Sequence, residues 1–401
     1  MRVVSLGVYI SVPFCRTKCS YCNFASDVFS KALFEKYVDR VCTDVTNYRR
    51  TSDEMGGRLE MSVDSIYLGG GTPTVLDSRQ LRRMFDVVRA QFSLADDAEV
   101  TVECAPGTLS PEMLQTLVEC GVNRVSLGVQ SFVDIEAAAV GRLHKSTTTL
   151  DDIARLRKAG IENINIDLIA GLPHQTAESW KQSLAATIDT GVPHVSIYML
   201  EVDQDSRLGR ELMAGGTRYH AHFVPDEDAV ADYYLVACAT LNAAGIVQYE
   251  ISNFAREGFE SKHNFKYWTR HPYLGFGVDA HSMLVSASSD AEAVRFATAD
   301  SLEGYTGGAP LQKTVVDRAT ALEEVFFLGL RLNRGVNLRE VATKFGSREL
   351  QTLLPVVNDL VEQRLLSRTS DEWIRLTPSG RLLSNEAFQA FLAPLETPAE
   401  L

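Results

Sequence analysis

The sequence predicts an α/β fold in which six βα units form a partial, TIM-like barrel, followed by a smaller C-terminal domain. Apolar, β-branched runs alternate with helical patterns over residues 8–200, which is the order expected of βαβ units in a parallel sheet. The runs are nearly continuously apolar, as strands buried on both faces are. Six such repeats fit an open or partial barrel better than a short Rossmann sheet.

The barrel elements follow one another in a regular order. The predicted strands cover residues 8–14, 65–70, 98–105, 124–130, 164–171 and 194–200. The predicted helices between them cover residues 31–49, 77–92, 110–120, 148–159 and 176–190. The third helix shows clear boundary signals, with Ser110 as N-cap, Pro111 in the first turn and Gly121 just past the end. We assign residues 1–215 to this barrel core.

The pattern changes after the barrel core. Residues 216–300 are predicted to extend the barrel, with a further strand at 248–255 and an aromatic, glycine-rich stretch at 263–282. Residues 283–312 are rich in Ala, Ser, Asp and Gly, which predicts a mobile connection. Residues 316–401 predict helices, then a strand pair and a final helix, similar to a small winged-helix module.

Composition narrows the class of protein. The chain has 401 residues, 45% of them hydrophobic, seven cysteines and a formal net charge of -13. So few cysteines suit a reducing cytosol, and no apolar run approaches the ~18 residues of a membrane span. The first residues lack the features of a secretory signal. The acidic balance argues against nucleic-acid binding. We therefore expect a cytoplasmic protein, for which a peripheral membrane contact stays open.

Polar residues are concentrated at the predicted carboxyl ends of the strands. A cysteine-rich stretch follows the first strand, and GGGTPT (69–74) follows the second. Glu103, Gln130 and Asp167 lie late in the third, fourth and fifth strands. Active sites of such barrels lie at this end, and buried polar groups need partners. A shared pocket is predicted, although Asp167 taken singly could also cap a loop.

Three cysteines, Cys15, Cys19 and Cys22, stand at C-x3-C-x2-C spacing. They can converge on one metal centre. A structural zinc site would need a fourth ligand, for which the distant candidates are Cys42, Cys104, Cys120 and His144. A [4Fe–4S] cluster held by three cysteines instead leaves one iron open to a small molecule, whereas ordinary electron-transfer clusters use four cysteines. For GGGTPT, a phosphate-binding loop is the alternative, but it lacks the GK[ST] ending.

The motif CRTKCSYC, the barrel order and GGGTPT together resemble the radical S-adenosylmethionine superfamily. The resemblance implies a [4Fe–4S] cluster whose unique iron is chelated by S-adenosylmethionine. Over nearly all 401 residues the chain further resembles the coproporphyrinogen-dehydrogenase-like branch, through YISVPFC, YLGGGTPT, GVNRVSLGVQSF, GRLH, NIDLIAGLP, HNFKYW, YLGFGVDAHS and LSNEAFQAFL. The cofactor pocket that this resemblance implies is lined by Tyr9, Tyr21, Gly70, Gly71, Thr72, Glu103, Gln130, Arg142 and Asp167.

Two features separate carrier from enzyme within this branch. In the dehydrogenases the cysteine motif resembles C-x3-C-x2-C-x-C, with a fourth cysteine two positions after the third. In this sequence Phe24 stands at that position. HNFKYW (263–268) is similar to the HNxxYW signature of HemW-type haem chaperones. The resemblance implies that His263 contacts haem, with His271 and His281 as weaker alternatives. A histidine beside aromatic residues can equally be a hydrogen-bonded structural residue.

The preferred hypothesis is a haem chaperone built on a [4Fe–4S]/S-adenosylmethionine scaffold, without coproporphyrinogen dehydrogenase activity. The resemblance implies haem as bound cargo, a recipient haem protein, typically membrane-associated, and a cluster that promotes dimerisation or transfer. Whether the cofactor is cleaved is left open. The alternative is an oxygen-independent coproporphyrinogen III dehydrogenase, which converts its substrate to protoporphyrinogen IX. A zinc-stabilised barrel that serves only as an interaction module is the third hypothesis.

Overall fold

In the computed structural model, which describes residues 5–60, 62–204 and 206–392, strands alternate with helices as predicted. The strands of the barrel and its extension are β1 Leu6–Val12, β2 Gly57–Arg58, β3 Ser62–Gly70, β4 Ser93–Cys104, β5 Arg124–Gln130, β6 Asn163–Ala170, β7 His194–Met199, β8 Val247–Gln248, β9 Asn253–Ala255, β10 Tyr273–Gly277, β11 His281–Ser286, β12 Ala293–Ala297 and β13 Gln312–Val316. The helices are α1 Ala32–Thr46, α2 Tyr48–Met55, α3 Ser78–Gln91, α4 Pro111–Glu119, α5 Asp134–Ala139, α6 Ser146–Lys158, α7 Ala177–Asp189, α8 Arg207–Ala214, α9 Glu227–Ala243, α10 Lys262–Trp268 and α11 Leu302–Gly307.

The sheet is an open, partial barrel. Strands β10, β1, β3, β4, β5, β6 and β7 lie side by side and parallel in that order. Antiparallel β9 and β8 extend one edge, and β11, β12 and β13 extend the other. No described residues pair the two outer strands with each other. All six predicted strands are present in the predicted order, which confirms the predicted fold class.

Strand β10 is a seventh parallel strand that the sequence prediction did not identify. It pairs with β1 from Gly7 opposite Tyr273 to Ser11 opposite Gly277. Glycine weakens the apolar pattern by which a strand is predicted, but in β10 it allows the backbone of the neighbouring strand to approach closely. A Cβ at Gly275 would lie 2.2 Å from the backbone oxygen of His281. The aromatic, glycine-rich composition therefore conceals a strand.

The mobile connection predicted for residues 283–312 is wrong. This stretch contains most of β11, the whole of β12 and α11, and the start of β13. Leu284, Val294 and Phe296 are buried in the main core. Strands β11 and β12 bury residues on both faces, since Met283 and Ala293 belong to a second core, but they are short and β13 is mostly exposed, which lowers the mean hydropathy of the stretch. The strand predicted at 248–255 is likewise interrupted and appears as β8 and β9.

Local sequence signals explain the helix boundaries. The Ser110 hydroxyl accepts a hydrogen bond from the Met113 amide (3.1 Å), and α4 begins at Pro111, as predicted. The side chains of Asp77 and Gln80 form a capping box on α3, which satisfies backbone donors that the first turn leaves free. The apolar faces of these helices then pack on the sheet.

The C-terminal part has its own core. Its helices and strands are α12 Arg318–Gly329, β14 Val336–Asn337, α13 Leu338–Phe345, α14 Ser347–Glu362, β15 Leu366–Arg368, β16 Trp373–Leu376, α15 Pro378–Leu382 and α16 Ser384–Gln389. The three strands form a small antiparallel sheet in the order β14-β16-β15. Phe326, Phe345 and Phe391 are fully buried between them and the helices.

An ion-pair network joins this part to the barrel. Glu324 on α12 is buried, accepts a hydrogen bond from Arg270 (2.7 Å) and forms an ion pair with Arg295 (2.8 Å), both of the barrel extension. The strands of residues 247–316 extend both edges of the large sheet, and the proposed domain limits stay a prediction. Among the described residues, no helix has the length and apolar character needed to cross a bilayer.

Candidate functional site

Residues 13–27, which we call the cysteine loop, follow β1 and are held together by hydrogen bonds within the loop. The Cys15 amide donates to the Asp27 oxygen, and the Asp27 amide donates to the Pro13 oxygen, both at 3.0 Å. The Lys18 ammonium donates to the Ser26 oxygen at 2.7 Å. These bonds tie the two ends of the loop together.

The same loop rests on the loops that follow other barrel strands. Arg16 donates to a backbone oxygen in the loop after β4 at 3.3 Å. Thr17 donates to the Gly141 oxygen after β5 at 3.0 Å. The Leu208 amide, at the start of α8, donates to the Ser20 oxygen at 2.8 Å. The cysteine loop is therefore fixed across the carboxyl-terminal mouth of the barrel, where the sequence predicts the pocket.

The three cysteines of this loop lie close together. Cys15, Cys19 and Cys22 are half-buried, and none forms a disulfide. Burial is the main reason that the pKa values of Cys15 and Cys22 are raised, and charge on the neighbouring thiols adds to the effect. Thiols that influence one another in this way are suited to a shared metal centre.

The arrangement of possible ligand side chains bears on which kind of metal centre the protein can hold. Among the described residues, no group of three or more His, Cys, Asp or Glu side chains converges closely enough to chelate a single metal ion. That finding includes the zinc ligands considered from the sequence, namely Cys42, Cys104, Cys120 and His144. A cluster does not need such convergence, because its cysteines bind different irons. Three cysteines on one loop can each bind a different iron of such a cluster.

The glycine-rich loop after β3 docks directly on the cysteine loop. The Gly71 amide donates to the Val12 oxygen and the Thr72 amide to the Phe14 oxygen, each at 2.7 Å. The Thr72 hydroxyl lies 4.0 Å from the Cys15 sulfur. A Cβ at Gly71 would lie 2.7 Å from the Phe14 oxygen. Glycine is required here because the two backbones approach too closely for any side chain.

Two carboxylates, Glu103 on β4 and Asp167 on β6, lie near this loop on strands that flank β5. Glu103 accepts hydrogen bonds from the Tyr67 hydroxyl (2.8 Å) and the Gly70 amide (3.2 Å). Burial, and then the charge of Asp167, raises its pKa to about 7. Asp167 accepts a hydrogen bond from Ser126 (3.0 Å), and burial also raises its pKa. Both carboxyls lie in one buried region, close enough for the charge of Asp167 to raise the pKa of Glu103.

Arg142 brings a positive charge to the same pocket. Its guanidinium donates to the Tyr21 hydroxyl at 3.3 Å. Burial opposes the charge, but Tyr21 and Cys19 outweigh burial and raise the pKa of Arg142. Its buried Nε has no hydrogen-bond partner among the described residues, which leaves capacity for an anion. A Cβ at Gly128 would lie 3.1 Å from both Arg142 Nη2 and Gln130 Nε2.

Tyr9 lies deeper in the barrel, below the two carboxylates. It is half-buried on β1, and its ring centroid is 6.0 Å from that of Tyr67. Burial, assisted by Glu103, raises the pKa of Tyr9. His263 continues the stack, with ring centroids 6.2 Å from Tyr9 and 5.4 Å from Tyr67. A layer of tyrosines therefore separates His263 from Glu103.

His263 itself occupies the amino-terminal end of the barrel. It is 1% exposed, and its Nδ1 lies 3.0 Å from the Ser65 hydroxyl and its Nε2 2.9 Å from the Tyr267 hydroxyl. Its backbone amide donates to Glu99 at 3.1 Å. Burial lowers its pKa to about 3. Both ring nitrogens are engaged, as in the structural role that the sequence left open, and haem ligation would require one of these bonds to break.

The structure thus brings most of the predicted site residues to one mouth of the barrel. They are Cys15, Cys19, Cys22, Tyr21, Gly70, Gly71, Thr72, Glu103, Gln130, Arg142 and Asp167, with Tyr9 beneath them. The sequence prediction missed Tyr67 and Asn165, which hold the carboxylates; Asn165 donates to Asp167 at 2.7 Å. The sequence does contain a sign of these two residues. Residues two apart on a strand lie on the same face, so Tyr67 lies on the face of Gly69, and Asn165 on the face of Asp167.

Comparison with known proteins agrees with this geometry. The Radical SAM superfamily model matches residues 9–186, and the HemN C-terminal domain model matches residues 316–383. The solved structure of HemN, the coproporphyrinogen III oxidase of Escherichia coli, is 22% identical and superimposes with a TM-score of 0.80, covering 96% of this chain and 90% of that one. Fold and site therefore define the class as a radical S-adenosylmethionine protein with the HemN architecture.

Curated relatives identify the family within that class. Haem chaperone HemW of Bacillus subtilis is 35% identical over 97% of this chain and 100% of its own length. Haem chaperone HemW of Escherichia coli is 30% identical over 98% of this chain and 100% of its own. The chain belongs to the HemW family. Membership of the radical S-adenosylmethionine superfamily implies a [4Fe–4S] cluster and S-adenosylmethionine.

Proposed function

We propose that this protein is a haem chaperone that binds haem in the cytoplasm and delivers it to a recipient haem protein. The relation to proteins named haem chaperone over their full length carries this proposal. Phe24 supports it, because this side chain replaces the additional cysteine of the dehydrogenases and is 65% exposed beside the cysteine loop. A membrane-associated recipient and a cluster-dependent homodimer are part of the proposal.

Within this proposal, Cys15, Cys19 and Cys22 hold the [4Fe–4S] cluster. Bound cluster and S-adenosylmethionine supply one-electron cleavage of a sulfonium in this superfamily. The chain's own residues bind and orient the ligand. Arg142, with its unpartnered Nε, suits the carboxylate of an amino acid. Glu103 and Asp167 suit an ammonium group and ribose hydroxyls.

His263 is the haem contact that the family resemblance implies. Its Nε2 would have to exchange the Tyr267 hydroxyl for iron, and because both residues are on α10, the Tyr267 side chain would have to turn away and the buried His263 ring become accessible. Imidazole is a common axial ligand of haem iron. We propose this contact for a later stage, in which the His263 ring has become accessible.

Spectral titration tests the chaperone function. Cluster-reconstituted protein is titrated anaerobically with haem, and the loaded protein is then mixed with an apo-haem protein. We expect a saturable Soret band that moves to the acceptor after mixing. Absence of a saturable band in wild-type protein would refute the proposal, as would bound haem that never transfers.

An enzyme is the second candidate function, because Glu103, Asp167 and Arg142 form an intact cofactor pocket. In that case the protein would abstract a propionate β-hydrogen of coproporphyrinogen III before CO2 is lost. The test is an anaerobic incubation of reconstituted protein with reductant, S-adenosylmethionine and substrate. Formation of 5′-deoxyadenosine together with a vinyl product would favour the enzyme, and absence of both excludes it.

A further inference from the structure

Two histidines outside the cofactor pocket form a pair at the same mouth of the barrel. His174 lies in the loop after β6, and His220 precedes the short turn Ala221–Phe223. His174 Nε2 is 3.2 Å from His220 Nδ1. We call His174 and His220 the histidine pair.

The backbone of the histidine pair is held in an unusual conformation. His174 has a φ of 69° and His220 a φ of 60°, values that residues other than glycine rarely adopt. The His174 amide donates to the Phe223 oxygen at 3.0 Å. The buried carboxylate of Glu211 accepts from the amides on both sides of His220, at 2.7 and 3.1 Å. Such over-determined strain is often found at functional positions.

The surroundings of the histidine pair are apolar and basic. The Phe223 ring lies 4.1 Å from that of His174, and Phe223 is 47% exposed. Helix α8 packs against the turn and carries two largely exposed apolar side chains, Leu212 and Met213. Arg218, two residues before His220, lies over the Tyr219 ring at 5.4 Å. An apolar surface with an imidazole and a guanidinium matches a porphyrin with propionate groups.

The hydrogen bond within the histidine pair prepares one nitrogen for a metal. His174 Nε2 and His220 Nδ1 are 3.2 Å apart, so one ring nitrogen donates a hydrogen bond to the other, and His174 is neutral when its Nε2 is the acceptor. His220 then donates from Nδ1, which leaves the lone pair of its Nε2 free. Metal-binding histidines usually donate their other ring N–H in this way, which orients the ring.

The number of ligands favours haem over a bare metal ion. A bare zinc ion needs three or four protein ligands, and the described residues include no such group. Porphyrin already supplies four nitrogens, so one axial histidine is sufficient. We propose that His220, positioned by His174, is the axial ligand that haem meets first, with Phe223, Leu212 and Met213 against the porphyrin face and Arg218 at a propionate. This inference rests on the proposed chaperone function.

The site is one helix away from the cysteine loop. Arg207 and Leu208 at the start of α8 donate to the Lys18 and Ser20 oxygens of that loop, at 3.3 and 2.8 Å. Glu211, three residues further along α8, holds the segment of His220. Loss of the cluster should therefore also loosen the haem site.

Haem titration of four variants tests this inference. His220→Ala should lose the axial-histidine signature in absorption and electron paramagnetic resonance, and external imidazole should restore it. His174→Ala should keep the ligand but weaken binding by about 10- to 100-fold, as loss of a partner to a metal-binding histidine does. Gln351→Ala, in an exposed residue of α14, is the control and should titrate like wild type. His263→Ala distinguishes the two proposed ligands: the axial-histidine signature of the first step should still form, and only the later contact should be lost.

The outcomes separate this inference from the proposed function. If wild-type protein binds no haem, both the proposed chaperone function and this inference fail. If wild-type protein binds haem and His220→Ala keeps the wild-type spectrum and affinity, only this inference fails. A changed spectrum in His263→Ala would then assign the axial ligand to His263 at the amino-terminal end of the barrel. Iron content and circular dichroism confirm folding of each variant, and His220→Gln replaces His220→Ala if the alanine variant does not fold.

Discussion

Replacing Glu103 by Gln should remove most of the pH dependence of S-adenosylmethionine binding. The pKa of Glu103 is about 7, because the carboxyl is buried and faces Asp167. A cationic ligand pairs with the ionised carboxylate, so wild-type affinity should rise with pH until Glu103 is ionised. Gln can still accept the Tyr67 hydrogen bond but carries no charge at any pH.

The expected size follows from the pKa of Glu103. A carboxyl with a pKa of about 7 is about 9% ionised at pH 6 and about 91% ionised at pH 8. Wild-type affinity should therefore rise about tenfold between these pH values, measured by anaerobic calorimetric titration of the reconstituted protein. The ligand's own amino group titrates equally with each protein, so the difference between proteins isolates Glu103.

Two comparisons decide this prediction. Glu112→Gln, in an exposed residue of the first turn of α4, is the control and should keep the wild-type slope. If Glu103→Gln shows the same tenfold rise as wild type, Glu103 does not pair with the ligand's positive charge and the reasoning is refuted.

Three further predictions concern stability. Gly71→Ala should destabilise the protein by about 1–3 kcal/mol and lower its iron content, whereas Gly307→Ala, whose Cβ meets nothing within 4 Å, should change neither; equal iron contents would contradict this. Glu324→Gln should cost about 3–5 kcal/mol in chemical unfolding because it leaves the buried Arg270 without a charged partner, and Glu372→Gln, in a surface pair, less than about 1 kcal/mol. The folded-state pKa of Glu103 lies above its unfolded value, so unfolding free energy should fall by up to about 3 kcal/mol as pH rises from 4.5 to 7, and thermal unfolding of Glu103→Gln should lack this decline.

The errors of sequence interpretation have a common origin. Strand β10 and the strands of residues 283–312 carry little continuous apolar character, because glycine and small residues occupy the faces where backbones approach or solvent begins. Pattern analysis detects strands buried on both faces, and it detected the six of the barrel core. Gly275 shows the limit, since only the packing against His281 explains why a glycine stands within a strand.

Features set by neighbouring residues could be determined from the sequence by itself. The C-x3-C-x2-C spacing, the βα alternation and the start of α4 at Pro111 depend on local chain geometry. The expectation that polar strand ends share a pocket needed only the rule that parallel strands end at one edge. Tertiary structure was needed for the partners of those groups. It buries His263 among the tyrosines at the opposite end of the barrel, and it joins His174 to His220, 46 residues apart, because contacts between distant segments depend on packing.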